Sequence, residues 1–193
     1  PHSIELLEIK ESFDFDHKLK KADLNFLTIC RLHKSKGVLN CLKFIKLLNK
    51  SVTGFFHLTI IGDDEGAKKS ILSFIKKHQL NKFVDVKNGV YGPERYSIYR
   101  NADAFILLPN TNLQTSLASI EALSQNCFTI VNDNAFIDNI EGSGAGILVG
   151  DSEEINYKLL INLIRNKNNI PQEFFNAFFS NIALNNSLIK IFK

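Results

Sequence analysis

The sequence has no methionine, no tryptophan, and only three cysteines in 193 residues. Three irregularly spaced cysteines exclude a disulfide-stapled secreted domain and favour free thiols in a reducing compartment. No apolar run approaches the ~20 residues of a membrane-spanning helix. The net charge of +3 is spread along the chain, without the concentrated basic face of a nucleic-acid-binding protein. We therefore expect a cytoplasmic globular protein that binds no nucleic acid. Because the chain also begins with proline, we expect it to be the C-terminal part of something longer.

What the sequence does contain is a regular alternation of apolar runs and amphipathic stretches. Strands are predicted at 25–30, 56–62, 82–86, 103–109, 128–132 and 146–150. Helices are predicted at 38–50, 67–78, in a short stretch ending at Tyr99, at 116–125, and throughout the region after Asp151, with breaks near Pro171 and around 185–186. Strands that alternate with helices through short loops predict an α/β fold with one Rossmann-like, doubly wound parallel sheet.

The domain organisation follows from the same pattern. Residues 1–23 are predicted to be a linker or lead-in, 24–166 a Rossmann-like domain, and 167–193 a C-terminal helical segment. In doubly wound sheets the ligand binds at the carboxyl ends of the strands. The turns that follow the strands are therefore where functional residues are expected.

The first of these turns, CRLHKSKG (30–37), is unusually basic. Arg31, Lys34 and Lys36 stand just before a helix, whose N-terminus already carries partial positive charge. That placement is unfavourable unless an anion binds there, and a diphosphate would satisfy it. The alternative is an ordinary solvated basic turn. The turn has the glycine pattern neither of a Walker loop nor of a dinucleotide fingerprint.

Five segments together resemble a known family. CRLHKSKG, LTIIGDDE, YRNADAFILLPN, SLASIEALSQNCFTIV and GAGILVGD follow one another as in the C-terminal domain of family-4 retaining glycosyltransferases of GT-B fold. The resemblance covers residues 25 to about 165, and FSNIAL (179–184) is similar to the family's closing helix. It implies a nucleotide-diphosphate sugar donor, transfer to an acceptor hydroxyl with retention, and no metal or other cofactor. It also implies a separate N-terminal acceptor-binding lobe, through which peripheral membrane association would occur.

The resemblance implies roles for individual residues. Arg31 and Lys36 match the catalytic pair that holds the diphosphate, and Glu121 matches the glutamate that binds the ribose hydroxyls. Val90 lies where the family frames the base. The turn before the helix would offer backbone amides to phosphate at Thr115, Ser116 and Leu117. Without the resemblance, Glu121 would be interpreted as a solvent-facing helix residue.

One position departs from the family in a way that affects function. Leu113 stands where the family has a first glutamate that contacts the transferred sugar, and LQTS replaces the Glu-Gly-Phe-Gly run. Asn112 or Gln114 could supply a neutral hydrogen bond there, but not the charge. Nucleotide binding is therefore better supported than sugar transfer. A non-catalytic nucleotide-binding or interaction module remains an alternative, and a nucleotide-sugar epimerase is a more distant one.

Two acidic motifs suggest metal sites but are better explained otherwise. The DFD of 14–16 lies in the predicted lead-in and not at a strand end. Asp63 and Asp64 precede a predicted helix, where an N-cap with acidic first-turn residues accounts for them. The histidines and cysteines lack zinc-ligand spacing. No metal is therefore expected.

Overall fold

The computed structural model describes residues 22–113, 116–150 and 155–179. The six strands are β1 (Leu24–Ile29), β2 (Phe56–Ile61), β3 (Val84–Lys87), β4 (Ala104–Leu107), β5 (Phe128–Val131) and β6 (Gly146–Leu148). The α-helices within the described ranges are α1 (Val38–Ser51), α2 (Lys68–Lys77), α3 (Glu94–Arg100), α4 (Leu117–Ser124), α5 (Tyr157–Arg165) and α6 (Ile170–Phe178). Short 3-10 helices occupy Lys34–Lys36 and Asp133–Ala135.

All six strands form one parallel sheet in the order β3-β2-β1-β4-β5-β6. The chain winds outward from β1 to β3 and then returns to place β4 on the other side of β1. Parallel sheets need crossover helices and are covered on both faces, which explains the almost uninterrupted apolar strands. The predicted fold class, a Rossmann-like doubly wound sheet, is confirmed.

Two apolar clusters lie on opposite faces of the sheet because successive strand residues point to opposite sides. One cluster joins the strands to α1, α2 and α5, with Phe26, Ile106 and Phe128 among its fully buried side chains. The other joins them to α3, α4 and α6, with Phe105 and Phe175 fully buried. α6 therefore packs on the sheet's second face, next to α4.

The contact between β1 and β4 is where the strand order reverses. Phe26 pairs with Ala104 and Leu27 with Phe105. The buried Thr28 hydroxyl donates a 2.7 Å hydrogen bond to the Ile106 carbonyl. At such a switch point the loops after the two strands diverge to opposite faces and leave a crevice between them. The first and fourth turns of the sequence border this crevice.

The element bounds differ from the predicted ones by one or two residues at most ends. β3 begins at Val84 and not at 82, because the chain is still in the turn after α2 at Lys82 and Phe83. Pro171 occupies the first turn of α6, where a proline is tolerated, and so it helps to start a helix. The predictions for 1–21 and for FSNIAL after Phe179 lie outside the described residues.

Candidate functional site

The basic turn after β1 folds into a 3-10 turn that leads directly into α1. The His33 imidazole accepts a hydrogen bond from the Ser35 amide at its start, and Gly37 ends it with φ of +64°. Lys34 is exposed, whereas Lys36 is half-buried. The turn thus directs two cations differently, one toward solvent and one toward the crevice beside β4.

Two asparagines hold this turn against the loop after β4. The Asn110 side chain donates to the Lys34 carbonyl at 2.7 Å, and its backbone amide donates to the Ser35 carbonyl at 2.9 Å. Asn40 in α1 donates to the Asn110 side-chain oxygen at 2.9 Å and to the Leu108 carbonyl at 3.0 Å. The sequence analysis identified neither asparagine. For Asn110 the available signal was a polar residue directly after the apolar β4 run.

The crevice contains a cavity of about 300 Å³. Five of the eight residues predicted from the sequence line it, together with Ile29, Cys30, Leu107 and Ala118; the five are Arg31, Lys36, Leu113, Ser116 and Leu117. Residues from the β1 turn therefore face residues from the start of α4 across one space. Thr115 lies outside the described residues.

The cavity combines fixed positive charge with the N-terminus of α4. The α4 N-cap, Ser116, makes no side-chain capping bond, and the first turn has no acidic residue, so the first backbone amides keep their partial positive charge. Arg31, with 67% of its side chain exposed, forms a 3.0 Å ion pair with Glu65 at the rim. An anion in the cavity would contact Lys36 and the α4 amides. It would also contact Arg31, which would leave its exposed ion pair with Glu65 to bind it.

Cys30 lies in the wall of the same cavity. Burial raises the pKa of its thiol to about 12, and the neighbouring Cys41 adds to this effect more than the nearby Lys36 offsets it. A thiol with so high a pKa stays protonated at neutral pH and is a poor nucleophile. Cys30 therefore shapes the cavity wall and contributes no reactive group.

Glu121 is one helical turn beyond Leu117 on α4, but it does not line the cavity itself. Its carboxylate forms a 2.5 Å ion pair with Arg95 and accepts a 3.3 Å hydrogen bond from the Tyr99 hydroxyl. Only 13% of its side chain is exposed, so the interpretation as a solvent-facing helix residue is wrong. Arg95 was not identified from the sequence, because nothing in the local pattern of α3 pairs it with α4.

The loop after β3 positions Val90 on the same side of the sheet. Val90 is half-buried and packs on the apolar cluster between the sheet and helices α3, α4 and α6, as does Leu113. Asp63 fixes this loop: its carboxylate accepts from the Gly89 amide at 3.0 Å and from the Tyr91 hydroxyl. Asp63 therefore links the loop after β2 to the loop after β3 by hydrogen bonds and does not cap a helix.

Asp63 and Asp64, the acidic pair after β2, therefore have different roles, whereas the prediction assigned both to the start of a helix. The Asp64 carboxylate accepts from the amides of Gly66 at 2.9 Å and Lys68 at 3.0 Å, which satisfies backbone donors at the start of α2. The formal N-cap is Ala67. Within the described residues, no three His, Cys, Asp or Glu side chains are grouped as metal ligands would be.

A larger cavity of about 680 Å³ lies between α1 and the start of α5. It contains none of the residues predicted from the sequence. Gly150 and Ile155 border it, and residues 151–154 between them fall outside the described part of the chain. Five of the predicted residues line the smaller cavity, whereas Glu121 and Val90 are not part of its lining.

Comparison with protein families decides the assignment. The model of the family described as glycosyl transferases group 1 matches residues 9–177. The chain belongs to the group 1 glycosyltransferase family. No curated protein sequence matches this group 1 glycosyltransferase chain. The recognition made from the sequence, of a domain of GT-B-type glycosyltransferases, is confirmed at the level of family and fold.

Solved structures similar to this glycosyltransferase domain share its fold at low identity. HepE from Anabaena, crystallised with UDP, has a TM-score of 0.66 and 13% identity over 88% of this chain and 48% of its own. The pneumococcal O-GlcNAc transferase GtfA, crystallised with UDP and GlcNAc, has a TM-score of 0.57 and 18% identity, over 81% of this chain and 30% of its own. WaaG, a glycosyltransferase involved in lipopolysaccharide biosynthesis, has a TM-score of 0.61 and 13% identity, over 81% of this chain and 42% of its own. The chain thus spans between 30% and 48% of the length of these structures.

One further property bears on membrane contact. Among the helices in the described ranges, none combines the length and apolar character that a bilayer crossing requires.

Proposed function

We propose that this chain is the donor-binding half of a retaining, metal-independent glycosyltransferase that transfers a hexosyl-type sugar from a nucleotide diphosphate to an acceptor hydroxyl. The observation that carries the proposal is the cavity at the β1–β4 switch point, where Arg31 and Lys36 face the N-terminus of α4. Both cations and helix amides there suit a diphosphate.

The proposed chemistry requires stabilisation of a leaving diphosphate. The bond between the sugar's anomeric carbon and the phosphate oxygen breaks, and the acceptor oxygen bonds to that carbon from the same face. Negative charge then develops on the diphosphate, which also takes the acceptor's proton. Fixed cations and backbone amides stabilise such charge without a metal. Arg31 would grip two oxygens and Lys36 one.

The remaining predicted residues would hold the nucleoside. Glu121 would accept hydrogen bonds from the ribose hydroxyls, and Val90 with its loop would frame the base. Two of the three solved structures described above were crystallised with UDP, which favours a uridine nucleotide over GDP. The acceptor would bind in a separate N-terminal lobe, the partner through which the enzyme would associate peripherally with the cytoplasmic face of a membrane.

The proposed setting is bacterial polysaccharide, lipopolysaccharide or glycoconjugate synthesis. It is supported by WaaG, whose fold is similar and which is involved in lipopolysaccharide biosynthesis. Because the acceptor lobe is a separate unit in this proposal, the 193-residue chain alone should bind donor and transfer little or no sugar.

Calorimetric titration of the chain with UDP, GDP and ADP tests the proposal. We expect one nucleotide to bind with micromolar to sub-millimolar affinity. Lys36→Ala should weaken that binding by about 10- to 100-fold, since a hydrogen bond to a charged group contributes ~1.5–3 kcal/mol. Lys34→Ala is the matched control: it removes the same charge from the same turn, but Lys34 does not line the cavity.

Three results would contradict the proposal. A folded chain that binds none of the three nucleotides would make the basic turn an ordinary surface. Equal losses in the Lys36 and Lys34 variants would indicate non-specific attraction to net charge. Binding that requires added divalent metal would refute metal independence.

A non-catalytic nucleotide-binding module is the second candidate, and Leu113 favours it. Its half-buried, apolar side chain lines the cavity where the family has a sugar-contacting carboxylate. In an acceptor-free assay of UDP-sugar hydrolysis, this candidate predicts no turnover by the wild-type chain. A turnover that disappears in Lys36→Ala would exclude it.

A further inference from the structure

The pairing between α3 and α4 involves the residue proposed to bind ribose. Arg95 projects from the first turn of α3, and its Nη2 atom lies 2.5 Å from Glu121 Oε1 on α4. Tyr99, one turn further along α3, donates from its hydroxyl to Glu121 Oε2 at 3.3 Å. Each carboxylate oxygen therefore already has one donor from the same helix.

Counting acceptor sites shows what this arrangement leaves free. A carboxylate offers about four lone-pair positions, two on each oxygen. Among the described residues, Arg95 uses one on Oε1 and Tyr99 one on Oε2, which leaves one on each oxygen. Two adjacent hydroxyls, as on a ribose, need two such acceptors side by side. The internal bonds thus leave room for the nucleoside and also set the plane of the carboxylate.

Arg95 is itself held in place. Its guanidinium lies over the Tyr96 ring, 5.2 Å from the centroid, and only 31% of its side chain is exposed. Burial, and after it the Glu121 carboxylate, raises the pKa of Tyr99 well above its usual value, so the phenol remains a donor. A largely buried carboxylate without a cation would be costly, and Arg95 supplies that cation.

We infer that Arg95 is a positioning residue, which orients the Glu121 carboxylate to accept hydrogen bonds from both ribose hydroxyls of the bound nucleotide. The inference rests on the proposed function and adds a residue to it. Arg95 need not touch the nucleotide, because it acts through Glu121. Its effect should therefore appear only with ligands that carry ribose hydroxyls.

The test compares nucleotides with and without those hydroxyls. UDP, GDP and ADP are each titrated beside their 2′,3′-dideoxy analogues into the wild-type chain and into Arg95→Met. The wild-type chain should prefer the hydroxylated form of its nucleotide by about tenfold or more. Arg95→Met should bind that form about tenfold more weakly, should bind the dideoxy form unchanged, and should lose most of the preference. Arg95→Lys should fall between the two.

Arg100→Met is the matched control. Arg100 also projects from α3 and contacts the residue that follows α4, donating to the Gln125 side chain at 2.9 and 3.1 Å, but it does not contact Glu121. It should cost stability without changing the preference for hydroxylated nucleotide. Thermal melts of all variants separate unfolding from a changed site.

The outcomes are distinguishable. If the wild-type chain binds no nucleotide, both this inference and the proposed function fail. If it binds and prefers the hydroxylated form, but Arg95→Met keeps that preference, the proposed function stands and the role of Arg95 is refuted. Tighter binding by Arg95→Met would likewise overturn it, since Arg95 would then be a competitor of the ribose.

Discussion

Gly37 is the residue whose replacement most sharply tests how the basic turn is held in place. It has φ of +64°, and a Cβ added there would collide with the Leu108 carbonyl oxygen and come within 2.7 Å of Pro109 Cα. Both obstacles belong to the backbone of the loop after β4, which cannot yield as a flexible side chain would. Gly37→Ala must therefore separate the turn from that loop.

The expected cost has two parts. An alanine in the left-handed region costs ~1–2 kcal/mol, and inserting a methyl group into a closely packed contact costs ~1–3 kcal/mol. Gly37→Ala should thus lower the free energy of unfolding by about 2–5 kcal/mol. For a domain of this size, ~1 kcal/mol corresponds to ~2–4 °C in Tm. Nucleotide binding should weaken as well, because Lys36 is carried by the displaced turn.

Gly92→Ala separates the two parts. Gly92 has a similar φ of +71°, but a Cβ there would meet nothing within 4 Å. Gly92→Ala should lower the free energy of unfolding only by the cost of an alanine in the left-handed region, ~1–2 kcal/mol. Urea unfolding of both variants and the wild type measures the difference. Equal losses in the two variants would refute the argument that close approach to the β4 loop constrains Gly37.

Three further predictions concern charges and thiols. Glu65→Gln frees Arg31 from its exposed ion pair and should tighten nucleotide binding by up to about fivefold in calorimetry; an equal gain when Arg31 is also alanine would contradict this. Burial raises the pKa of Cys30 to about 12 and encloses the other two thiols, so a disulfide reagent should find almost no reactive thiol before unfolding, and rapid reaction of the native chain would refute it. The hydrogen bond to Asp63 raises the pKa of Tyr91, so Asp63→Asn should shift part of the tyrosinate absorbance change to lower pH; superimposable titration curves would argue against it.

The sequence predicted the fold well because the signals for it are local. Parallel strands covered on both faces produce apolar runs such as 103–109, and amphipathic stretches such as 38–50 produce a helix with one buried face. The resemblance also brought together Arg31 and Leu117, which belong to motifs with a fixed order and line the same cavity. Most element ends differ from the predicted ones by one or two residues, since turn geometry decides them.

The contacts that hold the site in place could not be predicted in this way. Asn40 reaches Asn110, and Arg95 reaches Glu121, across gaps in sequence that carry no periodic signal. Asp63 was interpreted as part of a helix cap, because the local pattern favours that, whereas its partners lie after β3. Such side-chain pairings depend on which strands are neighbours, and only the three-dimensional structure supplies that.

The reversal of strand order between β1 and β4 has a consequence for how the chain folds. Thr28 and Ile106, which meet across this contact, are 78 residues apart in sequence. Contacts of such separation form late and slow the folding of a domain. During synthesis, one edge of β1 stays open until β4 emerges, and an unpaired apolar edge invites aggregation. Because the cavity has one wall from each side of this contact, it can form only after β1 and β4 have paired, and nucleotide binding would report that step of folding.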